Sequence, residues 1–297
     1  MDILKAIEIT LIVLTWLPGV ILNSSILAVY FKDLANSRHF SVCDKILLST
    51  ALLNIVQQCS YSVNGMLSFS AFCLTSVKKC YILEYFCNFS LIYGSFWHSG
   101  WLSIYYFFKL SKYSQRFFRQ LKKTLSSSIV SVLIMTMLGV VFIDLPFIWT
   151  VDVSFSLNET TSPSGGNYQI KINAPFIVFN LVCGCCLPFL ATLICLGLSV
   201  ASLLGQVWRV QQNVAHFTSS PQIQGLLRAA KTMTLQLILN TLLCLTLCSM
   251  FLKSSPNATL SVFESFFISS FTSVQAMTSI LGNPKLRKIL FCQAVPS

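Results

Sequence analysis

The sequence predicts an all-α fold, a bundle of seven transmembrane helices with the N-terminus outside and the C-terminus inside. Three observations carry this prediction. Apolar residues make up 55% of the 297 residues and charged residues only 10%, whereas an ordinary soluble domain carries about 25% charge. Seven apolar stretches without a charged residue reach the roughly 20 residues that cross a bilayer. Finally, most basic residues fall on one side of these stretches.

The seven spans are predicted to be helices because none shows the period-2 alternation of a membrane β-barrel, and a helix satisfies its own backbone groups in lipid. Pro188 in span 5 permits a bend there. The segments between spans on the outer side are short, so an extracellular ligand has to bind mainly between the helices. The chain is therefore predicted to be a single membrane domain with a short cytoplasmic tail at 282–297, and its spans, in chain order, are 7–31, 46–72, 84–108, 126–151, 174–204, 230–252 and 260–281.

The distribution of charge orients this bundle. Fifteen of the 20 basic residues lie in the loops after spans 1, 3 and 5 or in the tail, together with only two of the nine acidic residues. Lys and Arg accumulate on the cytoplasmic side of membrane proteins, which places these loops inside. The cations form collars at helix ends rather than one basic face, so they indicate contact with the lipid bilayer and not with nucleic acid.

Several other classes of protein are excluded. So few charges do not cover a soluble globule of this size, which excludes a cytosolic enzyme. No nucleophile elbow or phosphate loop occurs, and His39, His98 and His216 lack metal-ligand spacing, so we predict no catalysis, cofactor or metal. Lys285 lies at the cytoplasmic end of span 7, which excludes a retinal Schiff base in mid-span. A transporter is disfavoured because no internal repeat and no mid-span acidic residue is found.

Two kinds of covalent modification concern the outer side. Asn158, in the sequon Asn-Glu-Thr, lies in the middle of the second outer loop and is the predicted glycosylation site. This loop, 152–173, contains no cysteine. Most of the twelve cysteines lie in apolar spans and are interpreted as small apolar residues. A local disulfide among Cys73, Cys80 and Cys87 stays open.

Four short motifs lie in spans 3, 5, 6 and 7 or at their ends. Span 3 ends in Leu-Ser-Ile-Tyr-Tyr-Phe-Phe-Lys-Leu-Ser-Lys-Tyr-Ser at 102–114, and span 5 contains Leu-Pro-Phe at 187–189. Span 6 opens with Arg-Ala-Ala-Lys-Thr at 228–232, and span 7 closes with Ile-Leu-Gly-Asn-Pro-Lys-Leu-Arg at 280–287. Each motif alone is loose, but in this order they resemble the motifs of bitter taste receptors (taste receptors type 2). Asn23 in span 1 also matches an Asn of that family.

This resemblance implies a G-protein-coupled receptor of the plasma membrane and not an enzyme. It implies that small bitter organic compounds bind in the outer half of the helix bundle. The partner that it implies is a heterotrimeric G protein with a gustducin-like α subunit. Vomeronasal type 1 pheromone receptors, which resemble bitter receptors, are the nearest alternative, and a small membrane transporter is a more distant one.

The chain departs from the family pattern at several positions. Asn54 stands in span 2 where the family usually has Arg. In the inactive state of the family, that Arg pairs with the Asn of span 1 to which Asn23 corresponds. Gln206 and Leu226 stand where the family has His at the end of span 5 and the start of span 6, and Gln275 replaces the His of span 7. The resemblance therefore indicates a divergent member.

The candidate ligand-binding residues lie on spans 3 and 7. Asn88, Ile92 and Ser95 are spaced i, i+4 and i+7 and form one stripe of span 3. Bitter receptors commonly have Trp in place of Asn88, so a more polar pocket is expected here. The resemblance places a ligand contact at Glu264 or Ser265 of span 7. The alternative for Glu264 is a carboxylate that points outward to the membrane surface.

The candidate coupling residues lie at the cytoplasmic ends of spans 3, 5 and 6. The aromatic residues there have an alternative role as anchors at the lipid interface, and the basic ones as contacts of anionic lipid. The residues predicted to contact the G protein are Tyr106, Lys109, Arg116, Gln206, Arg209, Arg228 and Lys231.

Overall fold

The computed structural model describes residues 3–69, 74–110, 116–156, 167–213, 221–252 and 258–292. Long helices account for most of this part of the chain. In order these are α1 (Ile3–Ala35), α2 (Val42–Phe69), α3 (Leu74–Leu110), α4 (Arg116–Asp144), the short α5 (Phe147–Thr150) and α6 (Ala174–Asn180), then α7 (Leu187–Asn213), α8 (Pro221–Leu252), α9 (Ala258–Gly282) and α10 (Pro284–Cys292).

The long helices pack into a closed ring. Helix α1 contacts α2 and α9, α2 contacts α3, α3 contacts α7, and α8 lies between α7 and α9. Helix α4 packs outside this ring against α3 and α2. Large apolar side chains such as Phe142 and Met135 of α4 point away from the bundle. This apolar exterior is suited to a lipid environment, because side chains that face the hydrocarbon core are not exposed to water.

Four helical segments of the described chain are long and apolar enough to cross a membrane, by length and composition alone: Val13–Ala35, Ser127–Thr150, Ala174–Gln206 and Leu227–Phe251. Helices α2, α3 and α9 carry polar side chains into the interior. Gln57 of α2, Ser95 of α3 and Gln275 of α9 are all buried. Where the membrane begins and ends along each helix stays a prediction.

A β-hairpin, which the sequence prediction lacked, follows α4 and α5. Strand β1 (Val151–Ser156) pairs antiparallel with β2 (Asn167–Ile172), so that Val151 lies opposite Ile172. Helix α4 stops at Asp144 because Pro146, which has no N–H, begins the separate turn of α5. Both strands alternate apolar and polar residues, which is the period-2 pattern typical of strands.

The fifth span is one continuous helix with a π-helical segment, Leu181–Cys186, between α6 and α7. The Leu187 N–H donates to the Val182 carbonyl, one residue further back than in an α-helix. The widened turn directly precedes Pro188, the residue for which a bend is predicted. It also brings Gly184 so close to α3 that an added Cβ would lie 2.7 Å from ring atoms of Tyr93. Only glycine allows this approach.

Candidate functional site

The predicted ligand stripe of α3 lies inside the bundle. Asn88, Ile92 and Ser95 are all buried, and Ile92 belongs to an apolar cluster built by α3, α8 and α9. Asn88 Nδ2 donates to Glu84 Oε1 at 3.3 Å. Asn88 Oδ1 and Ser95 Oγ have no hydrogen-bond partner among the described residues. Buried polar atoms of this kind cost about 1–3 kcal/mol each, which a polar ligand would recover.

The predicted contact of span 7 also faces the interior. Glu264 is 5% exposed, and Ser249 Oγ of α8 donates to its Oε1 at 2.7 Å. This position in the bundle favours the ligand-facing alternative over a carboxylate that points outward. Ser265 is half-buried. Whether either residue contacts a ligand stays a prediction.

A second polar cluster of the outer half was missed by the sequence analysis. Asp144, the last residue of α4, is 1% exposed. Ser90 Oγ of α3 donates to its Oδ2 at 2.8 Å, and Asn180 Nδ2 of α6 donates to its Oδ1 at 2.5 Å. The sequence marks Asp144 only as an acid near a span end, since the partners come from two distant helices.

The middle of the bundle is joined by a shared hydroxyl. Ser99 Oγ of α3 accepts hydrogen bonds from Gln236 Nε2 at 2.8 Å and from Asn240 Nδ2 at 2.9 Å, both on α8. All three side chains are buried. These bonds link spans 3 and 6.

The contact between spans 1 and 2 survives the departure at Asn54. Asn54 Nδ2 donates to Asn23 Oδ1 at 3.1 Å, and both side chains are buried. Asn23 Nδ2 donates to the Gly19 carbonyl of its own helix at 2.9 Å. An Asn–Asn pair therefore takes the place of the family's Asn–Arg pair. It needs no buried cation.

At the cytoplasmic end of α3, Tyr106 of the aromatic motif packs within the bundle. Tyr106 is half-buried, and its hydroxyl lies 3.8 Å from Cys43 Sγ of α2. Tyr106 also lines a cavity of about 20 Å³ with Met233 of α8, which leaves room for one water. Lys109 is exposed, and its Nζ lies 5.9 Å from the centre of the Tyr105 ring, within cation–π distance.

The structure describes the side chains of only some of the other predicted coupling residues. Arg228 and Lys231 of α8 are exposed, as contact with a cytoplasmic partner requires, and Gln206 of α7 is half-buried. The backbone of Arg116 and Arg209 is helical, but their side chains lie outside the described part of the structure. The coupling surface therefore stays a prediction.

Helix α10, within the predicted tail, is tied to the cytoplasmic end of α1. The buried Asp33 carboxylate binds Lys285 Nζ at 2.5 Å and Arg38 Nη1 at 3.1 Å. Asn283 Nδ2 donates to the Tyr30 hydroxyl at 3.2 Å, and Leu286 is fully buried beneath the helix. The predicted tail is thus a docked helix over most of its length.

Comparison with known proteins settles the family. A family model described as taste receptor protein (TAS2R) matches residues 1–294. The chain belongs to the taste receptor type 2 family. The receptor is 27% identical to taste receptor type 2 member 40 of Gallus gallus, over 92% of the receptor and 89% of that relative.

Two further relatives agree. Taste receptor type 2 member 9 of Macaca mulatta is 27% identical, over 96% of the receptor and 92% of the relative. Taste receptor type 2 member 4 of Homo sapiens is 26% identical, over 74% and 73%. The alignments thus span most of each relative.

Membership in this family confirms the predicted fold class, a seven-transmembrane bundle of the G-protein-coupled receptor type. The receptor is a chemosensory membrane protein of a receptor class and not of an enzyme class. Ligands and G proteins are the partners of such receptors in general. The match over nearly the whole chain decides against the vomeronasal and transporter alternatives.

Three sequence predictions concern covalent or metal chemistry. Asn158 lies outside the described residues, so its glycosylation stays a prediction. Cys87 is free in the structure, whereas Cys73 and the side chain of Cys80 lie outside the part described. Within the described ranges, no group of three or more His, Cys, Asp or Glu residues is placed to hold a metal ion.

Proposed function

We propose that the receptor binds small bitter organic compounds in the outer half of its helix bundle and activates a heterotrimeric G protein with a gustducin-like α subunit at the plasma membrane. Family membership supports the general scheme. The observation that carries the proposal is that two polar atoms of the predicted ligand stripe, Asn88 Oδ1 and Ser95 Oγ, are buried without a hydrogen-bond partner among the described residues. A ligand between α3 and α9 gives these atoms partners.

Binding is converted into signalling by a shift of populations. A compound that binds the active arrangement more tightly than the inactive one increases the population of the active arrangement. The cytoplasmic ends of spans 5 and 6 then move, and the exposed cations of α3 and α8 contact the acidic surface of the G protein. Lys109, Arg228 and Lys231 are the candidate coupling residues whose described side chains are exposed, which suits them to this contact.

The test of this function is calcium release in cells that express the receptor with a taste-type chimeric G protein, across a panel of bitter compounds. We expect a dose-dependent response to at least one compound. Uptake of a labelled compound that needs no G protein would contradict the proposal, and so would the absence of G-protein activation by any compound that binds the purified receptor.

Replacing Lys109 with Glu should abolish the response while surface expression stays equal. The change places a carboxylate where the acidic surface of the G protein is proposed to bind, and like charges across an interface cost several kcal/mol. Calcium release and surface labelling of the same cells measure both quantities. Lys32→Glu is the matched control, because Lys32 is an exposed cytoplasmic lysine at the end of α1. Normal signalling by Lys109→Glu would refute the assigned role.

Replacing Asn158 with Gln should remove the glycan of the second outer loop. The variant is expected to migrate faster in gel electrophoresis than the wild type, and glycosidase treatment should no longer change its mobility. Asn257→Gln is the control, since Asn257 begins the other sequon predicted to lie on the outer side, Asn-Ala-Thr at 257–259. If only Asn257→Gln changed the mobility, the assignment of Asn158 would be wrong.

A further inference from the structure

A small cavity in the outer half combines a buried carboxylate with an aromatic lining. Its walls are Asp144 and Asn180 together with five phenylalanines, Phe86, Phe89, Phe147, Phe176 and Phe251. The phenylalanines come from α3, α5, α6 and α8, which places their rings on several sides of the cavity. Adjacent rings are in contact, with 5.2 Å between the centres of Phe89 and Phe251.

In the part of the chain that the structure describes, no cation is paired with the carboxylate of Asp144. Its hydrogen-bond donors, Ser90 and Asn180, are neutral. Among the described residues, no Lys, Arg or His side chain forms an ion pair with it, in contrast to Asp33, which binds two cations. Buried carboxylates are normally paired, because desolvation of an isolated charge costs several kcal/mol.

The position of Asp144 in its helix adds to the cost of its unpaired negative charge. It is the final residue of α4, where the helix dipole places partial negative charge. A carboxylate there is unfavourable for the helix, and the hydrogen bonds from Ser90 and Asn180 offset part of this cost without neutralising the charge. Ser90 and Asn180 orient both carboxylate oxygens beside the aromatic lining.

We propose that Asp144 and the surrounding phenylalanines form a binding site for organic ammonium ions. Aromatic faces attract a desolvated alkylammonium by cation–π interaction, and the carboxylate supplies the counter-charge. The ring faces favour an organic cation over a hydrated Na⁺ ion, whose water shell needs polar partners. The proposal deepens the proposed function, since it names amine and quaternary ammonium compounds as a class of ligand.

Binding requires the cavity to open. Its volume is about 10 Å³ in this structure, less than an organic cation needs. Phe89 and Phe147 are buried and form the floor, whereas Phe86, Phe176 and Phe251 are half-buried and form the mouth. A cation therefore selects arrangements in which rings of the mouth have turned outward.

The proposal is tested by the thermal unfolding of the purified full-length receptor in lipid nanodiscs. The probe is phenyltrimethylammonium, and its uncharged isostere tert-butylbenzene serves as the control for apolar binding. We expect only the cation to raise the unfolding midpoint, in a saturable manner. Equal stabilisation by tert-butylbenzene or by Na⁺ at the same concentration would overturn the proposal, as would the absence of stabilisation by the cation.

Two variants locate the site. Asp144→Asn keeps the size of the side chain but removes the charge, and should weaken binding of the cation by at least about tenfold. Phe176→Leu keeps an apolar side chain but removes the aromatic face, and should weaken it by about threefold to tenfold. Phe179→Leu, on the same helix with an exposed ring, is the matched control and should leave binding unchanged.

The same variants give the results that would contradict the cation site. Binding by Asp144→Asn within twofold of the wild type would overturn it, because a protonated Asp144 or a site elsewhere would then explain the data. If Asp144→Asn does not fold, Phe176→Leu compared with Phe179→Leu gives the answer. Unfolding is measured without a G protein, so loss of signalling and loss of cation binding are separate results.

Discussion

Replacing Ser99 with alanine is expected to lower the unfolding midpoint of the purified receptor by about 5–10 °C. The Ser99 hydroxyl is the shared acceptor for Gln236 and Asn240 of α8. Its removal leaves one N–H of each amide unpaired in the interior. Unpaired buried donors cost about 1–3 kcal/mol each, so the free energy of unfolding should fall by about 2–6 kcal/mol.

Ser103→Ala is the matched control for this prediction. Ser103 lies one turn further along α3 and is equally buried, but its hydroxyl donates only to the Ser99 carbonyl of its own helix. That carbonyl keeps its helical partner, so the loss should stay below about 1 kcal/mol. A thiol-reactive dye reports the unfolding of both variants through the buried cysteines. Equal unfolding midpoints for the two variants would show that the hydrogen bonds between α3 and α8 do not stabilise the receptor more than a bond within one helix does.

The bundle was predictable because lipid imposes strong constraints on the sequence. Charge-free apolar stretches and the bias of basic residues indicate helices and their orientation without knowledge of any contact. The same focus on long apolar stretches explains the missed hairpin. Strands β1 and β2 show their alternation over only six residues each, too short a signal to stand out beside the long apolar spans.

The polar partnerships inside the bundle were not predictable from the sequence. Ser99 and Asn240 are 141 positions apart, and their contact depends on how α3 and α8 are rotated against each other. The stripe of Asn88, Ile92 and Ser95 follows from helical spacing alone, which is why its common face was predictable. Asp144 offers no spacing signal, since its donors come from α3 and α6.

Replacing Asp33 with Asn should release helix α10 from the cytoplasmic end of α1. The carboxylate holds Lys285 and Arg38, and its own side chain is only 4% exposed. Hydrogen bonds to charged groups are worth about 1.5–3 kcal/mol each, but solvent screens these cations because Lys285 is 33% and Arg38 65% exposed. We therefore expect a loss of about 2 kcal/mol and a fall of about 5 °C in the unfolding midpoint.

A double-mutant cycle separates this ion pair from the other contacts of α10. Lys285→Gln alone should destabilise the receptor, and the double variant Asp33→Asn with Lys285→Gln should lose less than the sum of the two single losses. Lys288→Gln, an exposed lysine in the same helix, is the control and should be neutral. Additive losses would mean that Asp33 does not hold the helix, whose attachment would then depend on the buried Leu286 and on the bond from Asn283 to Tyr30.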